Sequence, residues 1–288
     1  MDFKGKTALI TGGSSGIGLA TALKLAEKGA NIWLLARNPS HLAEAENKVK
    51  AAAQFPGQRT GTLVADVSDA SQVTSAIQAW IKEVGAPDLV INSAGEAYPG
   101  EITNLDVSIY RKLIEINFLG TVHVTKAVLP VMLARKSGHI VNISSGAGYI
   151  AYYGYTAYSA TKFAVRGFSD ALRDELQHTG VNLSVVFPPD TDTPQLAFEN
   201  TIIPYETRVI NDDGGLFSAD YVANAIVKGI ERNQYQIIPG FMNQVAYRLS
   251  GFLANFNLTD WYIDGLIAKA KKNKSKGLAS STRPTPPA

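Results

Sequence analysis

Tyr158 and Lys162 stand four residues apart in Tyr158-Ser159-Ala160-Thr161-Lys162, with Ser144-Ser145 a short way upstream. On a helix this spacing sets both side chains on one face, so the ammonium can lie close to the phenol. A phenol ionises near pH ~10, about three units too high for ready proton exchange at neutrality, and a fixed cation beside it favours the phenolate. The pair therefore predicts a proton donor for a carbonyl oxygen. By itself the spacing also fits an exposed aromatic beside a solvated lysine, so the surrounding sequence has to decide.

A second stretch points to a dinucleotide. The apolar run Thr7-Ala8-Leu9-Ile10 leads directly into Thr11-Gly12-Gly13-Ser14-Ser15-Gly16-Ile17-Gly18, after which a helical pattern begins. Strand, glycine turn and helix start offer free backbone N–H groups and a positive dipole end to a pyrophosphate. Gly12, Ser14, Ser15, Gly16, Ile17 and Gly18 are the predicted cradle, with three residues between the first two key glycines. About 20 residues further on, an NAD site usually presents an acid to the ribose hydroxyls. Here the second apolar run ends Leu34-Leu35-Ala36-Arg37-Asn38. A guanidinium with no carboxylate at that position favours a 2′-phosphate, so NADP or NADPH is the expected cofactor. An ordinary helix-start arginine is the alternative. Asp66-Val67 follows the third run and Asn92-Ser93-Ala94-Gly95 the fourth. Asp66 can accept from an adenine amino group, cap the next helix, or do both, while the small Ala94 and Gly95 let the backbone approach a ribose.

These pieces need elements to position them. Thr7 to Ile10, Ile32 to Ala36, Gly61 to Ala65, Leu89 to Asn92, Ile140 to Ile143 and Leu183 to Phe187 read as buried strands. Gly18 to Lys28, His41 to Ala53, Ser71 to Val84 and Val107 to Leu133 read as the crossover helices between them. Such alternation predicts an α/β fold, a parallel sheet covered by helices on both faces, with ligands at the carboxyl ends of the strands. From Asp190 to Phe217 the periodicity breaks at Pro194, Pro204 and Gly214-Gly215, which predicts a mobile segment over the site.

Composition narrows the classes. With 288 residues and 45% hydrophobic content, the chain can bury a substantial core. Its 27 basic and 25 acidic residues leave a formal charge of +2, which argues against a dedicated nucleic-acid surface. No cysteine is present, which excludes disulfides, thiolate catalysis and cysteine-bound zinc, and His41, His123, His139 and His178 are too scattered to predict a metal site. The first strand begins too early to leave room for a signal peptide, and no apolar run reaches the roughly 18 residues of a spanning helix. A cytoplasmic protein is expected.

Taken together, Thr11 to Gly18, Asp66, Asn92 to Gly95, Asn117, Ser145, Tyr158 and Lys162 resemble the short-chain dehydrogenase/reductase family across residues 5–195. Ser145 lies 13 residues before Tyr158, the family's usual separation, which selects it over Ser144. The resemblance implies a single-domain, Rossmann-type doubly wound sheet and hydride exchange between NADPH and a ketone. It assigns Tyr158 as acid/base and Ser145 as the group orienting the substrate oxygen. Lys162 would bind the nicotinamide ribose and lower the tyrosine's pKa, and Asn117 would anchor a proton-relay water. Thr193 falls where the family's threonine meets the carboxamide, beside Pro188 and Thr191. A homo-oligomer, dimer or tetramer, is implied as well.

The string Pro188-Pro189-Asp190-Thr191-Asp192-Thr193-Pro194 departs from the family's usual Pro-Gly. Followed by Phe198-Glu199-Asn200 and Glu206-Thr207-Arg208, it is similar to the branch that reduces 3-ketodihydrosphingosine in sphingolipid synthesis, although such a string also makes a rigid turn whatever the substrate. A long-chain hydrophobic ketone is the implied substrate; another hydrophobic carbonyl, such as a steroid, retinoid or ketoacyl compound, and a catalytically silent NADP-binding scaffold are the competing readings. Tyr149, Tyr152, Tyr153 and Tyr155 line the pocket or serve packing and subunit contact.

Residues 1–240 are expected to form the catalytic domain, with a substrate loop at 188–218. In 241–274, Phe241, Val245, Leu249, Phe252 and Phe256 recur at helical intervals, Trp261, Ile263, Leu266 and Ile267 follow, and Lys269, Lys271, Lys272, Lys274 and Lys276 form a basic cluster. That extension fits a cytosolic membrane surface, or a helix packed on the core or on a second subunit. Residues 275–288 read as a disordered tail.

Overall fold

The computed structural model describes residues 1–255 and 258–275, and the side chains of these apart from 211–214 and 250–263. Seven strands form one parallel sheet in the order β3-β2-β1-β4-β5-β6-β9: β1 Thr7–Thr11, β2 Asn31–Ala36, β3 Thr60–Val64, β4 Leu89–Asn92, β5 Gly138–Ile143, β6 Val181–Val186 and β9 Gln236–Ile237. A further short pair, β7 Thr191–Asp192 and β8 Phe217–Ser218, lies apart from it.

Each sheet face is buried because alternate strand residues point to opposite sides. Ala8, Ile10, Ile32, Leu34, Leu89 and Ile91 meet one helical layer. That layer is α1 (Gly16–Glu27), α2 (Pro39–Ala52) and α9 (Ala219–Glu231), which contribute Leu25, Leu42 and Ile226. Leu9, Trp33, Leu35 and Val90 face the other layer, built from α3 (Ala70–Val84), α5 (Gly120–Arg135) and α6 (Thr156–Glu175) through Ile77, Val124 and Leu172. The chain winds outward from β1 to β3, then returns across the sheet to β4 beside β1. This reversal opens a crevice at the carboxyl ends of β1 and β4. Thr11 pairs with Asn92 there, so the glycine turn and the Asn92 to Gly95 stretch become neighbours.

Three local expectations change. The helix expected from Val107 to Leu133 is broken in register: α4 (Val107–Leu113) passes through a π-helical segment, Ile114–Leu119, into α5. The segment from Asp190 to Phe217, expected to be irregular, contains two helices, α7 (Pro194–Ile202) and α8 (Tyr205–Gly214). Its prolines start helices rather than preventing them. Pro194 fills the first turn of α7 behind the Thr193 cap, and Pro204 stands at the N-cap of α8. Strand β9 was not anticipated, because only two of its residues pair with β6, too few for a periodic signal.

The C-terminal extension forms α10 (Phe241–Asn255) and α11 (Leu258–Ser275). Helix α11 packs on α8, with Ala270 fully buried and Lys274 Nζ 3.1 Å from Oε1 of Glu206. On α10, the Tyr247 ring sits 5.0 Å from both Tyr149 and Phe187. Phe241 and Met242 remain 76% and 72% exposed at its start. Phe252, Phe256, Trp261 and Ile263 of the apolar stripe, Lys276, and the tail beyond residue 275 lie outside the described residues and side chains. By length and composition, the stretch Val107–Arg135 could cross a membrane, yet Val124, Val128 and Met132 are fully buried in the core.

Candidate active site

The glycine turn fits a dinucleotide at the level of single atoms. Gly12 has a φ of 62°, and a Cβ there would come within 2.8 Å of the Ala94 Cα. A Cβ on Gly18 would lie 2.5 Å from the Gly12 carbonyl oxygen, so only glycine lets α1 start this close to the turn. Ser15 occupies the N-cap of α1 without a side-chain hydrogen bond, which leaves the helix N–H groups to the cleft. Thr11 Oγ1 accepts from the N–H groups of Ser93 and Ala94, each at 3.1 Å, tying the two strand ends together. The cleft in front has a volume of about 300 Å³ and runs past Gly12, Ser14 to Gly18, Gly95, Pro188, Thr191 and Thr193.

On the far side of β1, Arg37 stands one residue beyond β2, while Asn38 caps α2 through the N–H groups of Ser40 and His41. Its guanidinium is not free of acids: Nη2 is 2.6 Å from Glu96 Oε1 and Nη1 is 3.7 Å from Asp66 Oδ2. Lys112 Nζ reaches the other Glu96 oxygen at 2.6 Å. Burial alone would raise the Glu96 carboxyl, but hydrogen bonds from Lys112 and Arg37 hold it below its ordinary range. Asp66 does not cap α3, whose N-cap is Asp69; it accepts instead from the backbone and hydroxyl of Ser68. Val67 is buried, and its side chain leaves no room for a Cβ on Gly120. Asn92 also turns inward, with Nδ2 donating to Asn142 Oδ1 at 2.8 Å and to Thr125 Oγ1 at 3.3 Å. Its side chain braces the sheet beneath the cleft.

Tyr158 and Lys162 lie on α6 at the floor of the cleft, and Ser144-Ser145 follows β5 directly. Ser144 is buried and donates to the Lys162 carbonyl at 2.9 Å, whereas Ser145 Oγ accepts from the Ala147 N–H at 3.1 Å and lines the cleft with Tyr158, whose ionisation it favours. Lys162 donates to the Ile143 carbonyl at 3.0 Å and lies 5.6 Å from the centre of the Tyr158 ring. Burial pulls its ammonium down to about 8.

Tyr158 moves opposite to the expected direction. Burial and then the Glu199 carboxylate push its phenol above the ordinary range, only partly offset by hydrogen bonding to Ser145 and Gln195. Lys162 meets the ring rather than the hydroxyl, and two acids, Glu199 and Asp190, act on the phenol. In the protein alone, the lysine therefore does not depress the tyrosine.

Asn117 lies in the π-helical segment, and its side-chain amide makes three hydrogen bonds. Oδ1 accepts from the Glu96 N–H at 2.8 Å, and Nδ2 donates to the Glu96 carbonyl and to Thr161 Oγ1, each at 2.9 Å. The amide thus fixes the strand-end backbone beside Lys162.

The substrate end of the cleft is walled by Tyr149, Tyr152, Tyr155, Pro189, Asp190, Leu196, Glu199 and Ile210. Tyr153 points away and donates to Glu101. Thr191 and Thr193 secure the Pro188 to Pro194 string from within: Thr191 Oγ1 donates to Pro189 O, and Thr193 Oγ1 caps α7 through the Leu196 N–H. A second cavity of about 280 Å³ shares Gly95 and Gln195 with the first and is walled by Ala97, Tyr98, Ile109, Leu113 and Phe198. Glu96, Lys112 and Gln195 are not among the residues expected from the sequence, and Glu199 is there only within the string Phe198-Glu199-Asn200. For Gln195 and Glu199 the signal was their four-residue spacing, hidden once the segment was taken as irregular.

The fold and this cleft define a nicotinamide-dependent oxidoreductase that interconverts a carbonyl and an alcohol. Residues 6–201 match the short chain dehydrogenase family, and the chain belongs to it. Among its relatives is the 3-dehydrosphinganine reductase of Danio rerio, 38% identical over 229 residues, spanning 79% of this chain and 69% of the relative. The 3-ketodihydrosphingosine reductase of Bos taurus is 40% identical over 225 residues, spanning 78% and 68% of the two chains. That of Dictyostelium discoideum is 32% identical over 279 residues, spanning 92% and 83%. Among solved structures, levodione reductase superposes with a TM-score of 0.76 at 25% identity over 84% of this chain and 99% of its own. A Burkholderia phymatum short chain dehydrogenase/reductase in complex with NAD reaches 0.79 at 24% identity over 89% and 96%.

Proposed function

We propose that this protein uses NADPH to reduce the ketone of 3-ketodihydrosphingosine, or of a closely similar long-chain lipid, to an alcohol. The observation that carries the reading is the similarity to reductases of that compound, which extends past the shared cofactor half through α7 and α8. Arg37 and Lys112, both half-exposed at the edge of the cofactor crevice, favour the phosphorylated dinucleotide.

When bound, the nicotinamide supplies the hydride. Tyr158 gives the proton to the ketone oxygen, and its raised pKa keeps it in the donor form at neutrality. Ser145 hydrogen-bonds the same oxygen and holds it at the phenol. Lys162, anchored on the Ile143 carbonyl, presents a buried cation to the phenolate left behind. Asn117 keeps the Glu96 backbone and Thr161 in register beside it.

The alkyl chain sets the remaining demands. A dozen methylenes carry roughly 10 kcal/mol of burial free energy, so this substrate resides in membrane. The exposed Phe241 and Met242 at the start of α10 suit contact with that surface. NADPH oxidation against 3-ketodihydrosphingosine, short β-keto compounds and steroids tests the substrate. Preference for the long-chain amino ketone supports the reading, and preference for a steroid, or binding of NADPH without turnover on any ketone, overturns it.

A further inference from the structure

Glu199 is an odd residue to find beside a catalytic phenol. It is 6% exposed, on the face of α7 that lines the cleft, and its charge acts on both Tyr158 and Lys162. Two neutral groups hold it: Tyr155 donates its hydroxyl to Oε2 at 2.7 Å and Gln195 donates Nε2 to Oε1 at 2.9 Å. Each carboxylate oxygen can accept about two hydrogen bonds, so each retains capacity towards the cleft. Among the described residues no lysine or arginine forms an ion pair with it; Lys162 acts on it only at longer range.

Burial raises the Glu199 carboxyl above its ordinary range, offset only in part by the bonds from Tyr155 and Gln195, and its charged form works against the reaction. Once Tyr158 has released its proton, a phenolate has a neighbouring carboxylate in the same cleft. For a neutral ketone this arrangement is a handicap. A substrate that brings a cation to this spot reverses the effect, because it pairs Glu199 and stabilises the phenolate together. The position is also restricted: the Tyr155 and Tyr158 rings are 5.7 Å apart, and Gln195, which donates to Glu199, lines the same cleft as Tyr158. A cation held there shares the end of the cleft where Tyr158 meets the carbonyl.

We propose that Glu199 is the counter-ion for an ammonium group on the carbon next to the ketone, which makes the site selective for 2-amino ketones. This rests on the reading of the protein as a reductase of 3-ketodihydrosphingosine, whose amine occupies that carbon. Tyr155 and Gln195 are the positioning residues that aim the carboxylate.

The test compares wild type with Glu199→Gln, which keeps the shape and hydrogen-bonding capacity but removes the charge. NADPH oxidation is measured at pH 7 with 3-ketodihydrosphingosine and with the same chain lacking the amine. Wild type should prefer the amino ketone, and the variant should lower the ratio of the two kcat/KM values by about 10- to 100-fold, the worth of a charge-assisted hydrogen bond. An equal fall on both substrates would show that Glu199 only holds Tyr155 and Gln195 and would overturn the proposal, as would a loss of preference in Asp190→Asn but not in Glu199→Gln. If wild type reduces neither ketone, the substrate reading fails, and binding of dodecylamine against dodecanol to the NADPH complex decides the amine site. Amine binding that vanishes in Glu199→Gln sustains it, and equal binding of the two rejects it.

Discussion

Cofactor choice offers a prediction whose size can be worked from the geometry of Arg37. In the protein alone its guanidinium is held by Glu96 at 2.6 Å, so a 2′-phosphate has to compete for it. The Arg37 side chain is 54% exposed and that of Glu96 28%, which places the pair among ion pairs worth about 0.2–1 kcal/mol. A charge-assisted bond to phosphate is worth about 1.5–3 kcal/mol. The difference, about 0.5–2.8 kcal/mol, predicts that Arg37→Ala weakens NADPH by about 2- to 100-fold and leaves NADH near wild type. Glu96→Gln should act in the opposite direction and tighten NADPH by up to about 5-fold, since no ion pair is then surrendered. Glu96 is held below its ordinary range and is ionised at neutrality, so the effect belongs at pH 7. Dissociation constants from the fluorescence of NADPH and NADH, for both single variants and the double variant, give the assay. In the double variant the gain from Glu96→Gln should shrink to whatever the freed Lys112 contributes. Equal losses of NADPH and NADH in Arg37→Ala, or weaker NADPH binding in Glu96→Gln, would refute the reasoning.

Other perturbations probe separate parts of the molecule. Tyr158→Phe should reduce kcat by about 10²- to 10⁴-fold while NADPH affinity stays near wild type; undiminished turnover would remove the tyrosine from the proton transfer. His139 is 1% exposed in β5, with Nε2 2.8 Å from Ser184 Oγ, and burial pulls its imidazole down to about 4. Below the ordinary histidine range the unfolded chain takes up this proton more readily than the folded one. Stability is thus present above pH ~6.5 and lost as pH falls towards 4, by about 3 kcal/mol when complete. Urea denaturation of His139→Gln across this range should show a flatter acid limb, and an unchanged slope would exclude the histidine. Replacing Phe241 and Met242 together with serine should reduce co-sedimentation with anionic vesicles without changing the melting temperature. This pair is a cleaner probe than truncation after residue 239, which would strip α11 from α8. Equal sedimentation would move the membrane contact elsewhere.

What the sequence exposed and what it hid divide along physical lines. The strands of the first 187 residues announced themselves because both faces of a parallel sheet are buried, giving apolar runs such as Leu89 to Asn92. The glycine turn was legible because backbone geometry restricts Gly12 and Gly18 to glycine. Tyr158 and Lys162 were legible as a pair through helical spacing, but the sign of their electrostatics was not. That sign depends on Glu199, which approaches from a helix 41 residues further along and on burial that no local pattern encodes. Arg37 has the same history: its position after β2 marked it, while its partner Glu96 stands 59 residues away. The reading of 190–217 failed because Pro194 and Pro204 were taken as breaks when each starts a helix.

The π-helical turn at Ile114–Leu119 has a consequence beyond the clamp formed by Asn117. A π turn holds one residue more than an α turn, and one residue swings everything after it by about 100° around the axis. It acts as a phase shift between two halves of one continuous rod. Upstream, Ile109 and Leu113 turn towards the second cavity; downstream, Val124 and Val128 turn into the sheet. Deleting a single residue from the turn would set the halves out of step, so that either the cavity wall or the core must rotate into solvent. Length here is as tightly constrained as composition.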